Sequence, residues 1–249
     1  MGSITIFHAS DLHFGAEDQS ALDWFAGQVA MACPDAVFIT GDITMRARHS
    51  EFAAAAEWLH ALGRPLRIEI GNHDMPYFNP IERFTNPYRR YHSMAALAAR
   101  SNSMAGAELP GIAMASLLTT APAQWRLNWS KGVVRRKALA STVANLSNQP
   151  SAPIVLVTAH HPLVETGTHG TALTKGGSHA LETLTKAGVT AILSGHVHDP
   201  FDLVHDNDHG TIRMIGAGTL SERLRSTPPS FNKLTINHGQ LTVQPQFMR

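Results

Sequence analysis

The chain has 249 residues, with 20 Lys and Arg against 19 Asp and Glu, a formal net charge of +1. That balance excludes a strong overall pull toward nucleic acid or an anionic membrane. A content of 43% hydrophobic and 16% charged residues excludes a disordered polymer, and a single cysteine, Cys33, excludes an internal disulfide framework or a cysteine metal cluster.

The first residues carry neither a basic n-region nor an apolar h-region, and no apolar run approaches the roughly 18 residues that span a bilayer. A cytoplasmic location, away from membranes, is therefore the default expectation. Ile4–His8 reads as a strand, Ser20–Ala32 as a helix, Ala36–Thr40 as a strand, Ser50–Leu62 as a helix and Leu66–Ile70 as a strand. Each strand–helix unit takes about thirty residues, as a βαβ crossover requires. Residues 75–132 are less regular. They hold Tyr77, Tyr88, Tyr91, Trp125 and Trp129, and read as a substrate-facing excursion from a single domain covering 1–249. Val133–Leu146 is helical, Pro153–Thr158 a β-branched strand, Ser178–Ala187 a helix closed by Gly188, and Val189–Leu193 a further strand. The short runs Phe201–Val204, Thr211–Ile215, Phe231–Ile236 and Leu241–Val243 predict antiparallel strands, with Asn237-His238-Gly239-Gln240 as a hairpin turn.

The residues suited to chemistry stand just past the strands. Asp11-Leu12-His13 comes after the first, Gly41-Asp42 after the second and Gly71-Asn72-His73-Asp74 after the third. Ala159-His160-His161 and Gly195-His196-Val197-His198 come after two later ones. The carboxyl ends of strands form the binding edge of an open α/β sheet, so clusters distant in sequence are expected to converge there. The i, i+2 spacing of Asp11 and His13, and of His196 and His198, places both side chains on one side if the backbone is extended. The glycines before Asp42, Asn72 and His196 permit sharp turns and close backbone approach. Any one of these short motifs is weak evidence, and a buried, hydrogen-bonded histidine is its ordinary explanation. Together, at successive strand ends, they point to two divalent cations. Mixed Asp, Asn and His donors suit Mn, Fe, Zn or Co better than calcium or a thiolate-bound metal. The candidate donors in these strand-end clusters are Asp11, His13, Asp42, Asn72, His73, Asp74, His160, His161, His196 and His198.

In these residues, and in Ser10–Gly15 and Gly216–Ser221 with Arg223 and Arg225, the sequence resembles the calcineurin-like metallophosphoesterases, most closely the small bacterial cyclic-nucleotide phosphodiesterase branch. The resemblance implies an α/β fold, an αββα sandwich of two mixed sheets flanked by helices. The residue pattern alone supports flanking helices and an antiparallel C-terminal part, but not two sheets. The resemblance further implies one metal on Asp11, His13, Asp42 and His198 and another on Asp42, Asn72, His160 and His196. A bridging hydroxide would attack phosphorus of a small phosphodiester, with cyclic nucleotides the first candidates. His73 would touch the phosphate and protonate the leaving oxygen, and Asp74 would hold its other ring nitrogen. Asn72, His73, Arg46 and Tyr77 are the candidate substrate contacts. His161 is read as structural, and one of Arg223 and Arg225 as lining the site or orienting a loop. The alternatives are a phosphomonoesterase or broad-specificity phosphoesterase and, less favoured by the near-neutral charge, a nuclease. Dimers are common in that branch, so a homodimer or higher homo-oligomer is a further expectation.

Overall fold

A computed structural model describes residues 2–99, 109–125 and 128–249. Strand β1 (Ile4–Ala9), helix α1 (Gln19–Ala32), β2 (Ala36–Ile39), α2 (His49–Ala61) and β3 (Leu66–Ile68) form the expected βαβαβ run. β1, β2 and β3 pair in parallel. The segment read as an excursion carries more regular structure than its composition suggests: α3 (Pro80–Thr85), α4 (Arg89–Ala98) and β4 (Ile112–Ser116). Asn79 caps α3 by accepting from Glu82 N at 3.0 Å, and Pro80 starts the helix where no N–H is needed. Then come α5 (Arg136–Ser147), β5 (Ile154–Thr158), α6 (Gly177–Lys186), β6 (Ala191–Ser194), β7 (Phe201–Asn207), β8 (Gly210–Gly216), β9 (Ser230–Asn237) and β10 (Gln240–Phe247).

The strands form two mixed sheets, ordered β10-β9-β1-β2-β3 and β4-β5-β6-β8-β7. Three apolar layers explain why two sheets form. Ile6, Phe38, Leu234 and Ile236 of the first sheet meet Ile154, Leu156, Leu193 and Ile215 of the second in a buried apolar seam. The opposite faces bury Phe7 and Val37 under Leu22 and Phe25 of α1 and Leu59 of α2, and Val157 and Ile192 under Leu139 of α5 and Leu181 and Leu184 of α6. Strands apolar on both faces need cover on both sides, and the αββα stack supplies it. Hydrophobic periodicity reveals this double burial but not which strands share a sheet.

Polar contacts also cross the seam. Arg67 donates to Thr158 Oγ1 at 2.8 Å and Ser116 Oγ at 2.9 Å, while Glu69 accepts from Ser116 Oγ at 2.7 Å and from Thr158 Oγ1. The loops after β1 and β2 run zipped together, with Asp11 N donating to Gly41 O and His13 N to Asp42 O, each at 3.0 Å. Gly195 lets the loop after β6 press against the loop after β1. A Cβ there would lie 1.7 Å from Ser10 Oγ and 2.5 Å from Ser10 Cβ. Gly195→Ala should therefore destabilise the protein by about 1–3 kcal/mol, the usual cost of overpacking a filled interior. Urea unfolding measures this, and an unchanged midpoint would contradict the close packing.

Candidate metal centre

The ends of β1, β2 and β3 from one sheet and β5 and β6 from the other converge at one rim. Asp11, His13, Asp42, His160 and His198 are buried there, and Asn72, His73 and His196 are partly exposed. His198 Nε2 lies 3.2 Å from Asp11 Oδ1 and 3.4 Å from His13 Nε2. His160 Nε2 lies 3.3 Å from Asp42 Oδ2 and 3.2 Å from Asn72 Oδ1. His13 Nε2 stands 3.9 Å from that same Asp42 oxygen, so Asp42 Oδ2 faces both halves of the cluster. The triads Asp11–His13–His198, Asp11–Asp42–His160 and His160–His161–His196 each bring three donor atoms within 4.8 Å of one another, the spacing of groups able to share a metal ion.

The backbone achieves this in an unexpected way. Asp11, His13, Asp42, His196 and His198 all have positive φ, between 49° and 70°. The paired side chains of Asp11 and His13, and of His196 and His198, are neighbours through left-handed turns rather than the extended backbone that i, i+2 spacing suggested. The intervening Leu12 and Val197 are buried in the apolar layers and anchor the turns. Non-glycine residues rarely adopt such φ, and here most of them gather at one site, where surrounding contacts hold them. Gly41, with φ of 97°, supplies the bend before Asp42.

The hydrogen bonds show which atoms face inward. His160 Nδ1 is 2.8 Å from Thr40 O and His198 Nδ1 is 2.6 Å from Arg223 O. A carbonyl only accepts, so these nitrogens carry the protons when the rings are neutral, and Nε2 presents its lone pair to the cluster. Asp11 Oδ2 accepts from His196 N and Asp42 Oδ1 from His73 N, both at 2.8 Å, leaving the other carboxylate oxygens turned inward. Asp11 Oδ1 is buried without a hydrogen bond. Asn72 points its carboxamide oxygen at His160 Nε2, His161 Nε2, His196 Nδ1 and Ser130 O, and rotating the amide would instead direct its NH2 group at them. Inward oxygens and imidazole lone pairs without matching donors form a cage that a cation would stabilise, so this donor set fits divalent metal.

Electrostatics agree. Burial pushes the Asp11 carboxyl up, but the charges of His198 and His160 outweigh it and hold it well below the usual carboxylate range. Burial likewise opposes ionisation of Asp42, and His160 and His73 overcome it. Burial lowers His160, yet Asp42 pulls it up to about 9. His13 and His196 fall to about 3, in each case chiefly through burial. The carboxylates are thus ionised and His13 and His196 neutral, while Asp42 and Asp11 outweigh burial and raise His160 and His198, whose protons a bound cation would displace.

The substrate and catalytic candidates divide. His73 sits beside the cluster, its ring 4.8 Å from that of His13. Its Nδ1 is held by Met45 O at 2.7 Å, not by Asp74. Asp74 is instead committed to the backbone, accepting from Thr44 N and Gly71 N at 2.8 Å each and from Ile43 N at 3.2 Å. A carboxylate buried at the crossing of two loops takes the amides that lack partners there, and adjacency in sequence to His73 gives it no geometric claim on the ring. Burial and then Asp42 raise its pKa to about 6. Tyr77 is 71% exposed and lines, with Asn72, His73, Arg83, Asn128, Trp129 and Ser130, a cleft of about 660 Å³ at the rim. Arg46 is exposed, and its backbone N–H donates to Glu51. Tyr91 donates to Ile68 O at 2.6 Å and packs, partly buried, against the core.

Two residues given little weight in the sequence stand at the site. His161 lies with its ring 4.4 Å from that of His196, its Nδ1 2.9 Å from Thr119 Oγ1 and its Nε2 2.8 Å from Ser130 O. It ties the cluster to the cleft wall. Arg223 brings its guanidinium to 3.0 Å from His73 Nε2. The doubled histidine and the family-like segment around Arg223 were the available signals, but neither carries a distance.

Among the described residues no helix is long and apolar enough to cross a membrane. No curated protein matches the chain. Among solved structures the fold is similar to that of a dimetal phosphatase from Danio rerio, with 16% identity, 97% of this chain and 95% of that chain covered, and a TM-score of 0.66. It is also similar to a purple acid phosphatase from yellow lupin (Lupinus luteus) seeds, with 14% identity, 99% and 52% covered, and a TM-score of 0.68. At such identities the likeness shows the fold alone. The family model for calcineurin-like phosphoesterase matches residues 4–200, which contain every strand end that contributes to the cluster, and the chain belongs to that family.

Proposed function

We propose that this protein is a dinuclear-metal phosphodiesterase that hydrolyses small diesters, with cyclic nucleotides the leading candidates. The carrying observation is the pair of half-cages that share Asp42 Oδ2, which faces His160 Nε2 at 3.3 Å on one side and His13 Nε2 at 3.9 Å on the other. Asp11, His13, Asp42 and His198 would hold one ion, and Asp42, Asn72, His160 and His196 the second. Bound there, two divalent ions would supply Lewis acidity toward phosphate oxygens and a water of lowered pKa.

The chain's own residues set the rest. Asn72 and His73 line both the cluster and the cleft, so a phosphate at the cage would place its ester groups along Tyr77 and Trp129. Trp129 is braced by Arg83, whose guanidinium carbon lies 5.3 Å from the ring centroid and which donates to Pro122 O at 2.8 Å. A cleft with a flat aromatic wall favours a diester with a planar substituent, and this supports the cyclic-nucleotide reading. With Nδ1–H committed to Met45 O, His73 acts at the substrate through Nε2, where a proton taken up can pass to the leaving oxygen. Asp74 is a positioning residue that fixes the loops after β2 and β3. A phosphomonoesterase or broad-specificity phosphoesterase is the second reading, because the structurally similar proteins are described as phosphatases.

Chelation should abolish hydrolysis, and reloading with Mn, Zn, Fe or Co should restore it. The reloaded enzyme should prefer cyclic nucleotides or aryl diesters to the corresponding monoesters. Faster turnover of monoesters would select the second reading, and hydrolysis unaffected by chelation would refute the metal assignment.

His73→Ala should retain its metal content and lose about 10²–10⁴-fold in kcat, the usual range for an acid–base residue. The loss should be larger for alkyl than for nitrophenyl leaving groups. Equal losses on both would exclude His73 as the proton donor.

A further inference from the structure

The loop after β8 places a cation at the cluster that the metal cage does not account for. Arg223 Nη1 lies 3.0 Å from His73 Nε2, 3.4 Å from His13 Nε2 and 3.9 Å from Met45 Sδ. All three partners are atoms without negative charge, whereas a guanidinium is permanently cationic and has five N–H donors in a planar fork. Because Met45 O fixes the proton on His73 Nδ1, Nε2 is an acceptor and holds the guanidinium by a single bond.

The arm is delivered by a fixed backbone. Thr219 Oγ1 donates to Asp11 O at 2.7 Å, and Glu222 N donates to Ala16 O at 3.2 Å. The Asp199 carboxylate accepts from Ser226 N at 3.0 Å and Thr227 N at 3.2 Å. Arg223 itself accepts from His198 Nδ1 through its carbonyl. A half-buried guanidinium is thereby pinned beside a donor set suited to cations, where both can face one anionic group.

We propose that Arg223 is a phosphate-binding residue: its guanidinium donates to a non-bridging oxygen of the phosphoryl group, with His73 Nε2 as its acceptor when no ester is bound. The assignment rests on the phosphoesterase reading and deepens it. Arginine suits the role because its fork can give two parallel bonds to a phosphoryl group, which lysine cannot. Arg225, two residues on, is exposed and serves as the control.

The test compares the metal-loaded parent with Arg223→Met, Arg223→Lys and Arg225→Met. Three quantities are read: metal content, the Kd of inorganic phosphate by calorimetry, and kcat/KM on a nitrophenyl ester. Arg223→Met should keep its metals, bind phosphate at least about tenfold more weakly and lose about 10²–10³-fold in kcat/KM, the range for removing one charge-stabilising donor. Arg223→Lys should recover part of both, and Arg225→Met should match the parent. Undiminished phosphate binding by Arg223→Met would overturn the proposal, as would metal loss in both Arg223 variants, which would make the residue a support of the cage. A parent that neither binds phosphate nor cleaves any ester would instead overturn the phosphoesterase reading itself.

Discussion

Two carboxylates, Asp11 and Asp42, lie almost fully buried at the rim of a two-sheet seam, and much of the surrounding architecture serves to keep them there. An ionised carboxylate in a dry interior is expensive unless it is paired and hydrogen-bonded. Each spends one oxygen on a backbone amide, Asp11 on His196 N and Asp42 on His73 N, and turns the other toward imidazole. The hydrogen bond from His196 N to Asp11 Oδ2 also joins the two sheets, because β1 belongs to one and β6 to the other. The same contact that holds the Asp11 carboxylate therefore helps close the sandwich, and the left-handed φ angles at the strand ends are maintained by that closure. Strain of this kind persists only where packing over-determines it.

The order of strands and helices was readable because hydrophobic runs alternate with helical spacing, and the candidate ligands because they recur at strand ends. Division into two sheets was not readable from pattern. β1 and β5 are both apolar runs, and nothing local to either says that Ile6 and Leu156 will face each other across a seam. The family resemblance supplied that division. The regular elements between residues 80 and 116 escaped for a different reason. α3 has only 6 residues and depends on Asn79 and Pro80 at its start, and α4 has 10, mixes polar and apolar residues and buries only Met94 and Ala98.

At the site, residue type was legible and partner identity was not. Asp74 beside His73 reads as a carboxylate–imidazole pair, but side chains adjacent in a loop diverge, and the ring instead finds the carbonyl of Met45 from the loop after β2. Arg223 shows the same limit from the other side. Its sequence neighbourhood is suggestive, but its contact with His73 spans 150 residues of chain and arises only from the tethering of its loop to Asp11, Ala16 and Asp199.

The two sides of the site are built from different material, and this separates chemistry from recognition. The cage draws on strand ends and turns locked between sheets, where a small displacement would misplace a donor. The cleft wall draws on the connecting segment that carries Tyr77, Arg83 and Trp129, whose side chains reach the surface. Substitutions there can reshape the space beside the cluster without disturbing Asp42. His161 and Ser130 are the hinge of this arrangement, since one hydrogen bond of 2.8 Å links the imidazole packed against His196 to the wall of the cleft. Under the proposed function, specificity can thus vary along one edge while the phosphoryl site stays fixed, because among the described residues the two share Asn72, His73 and that link.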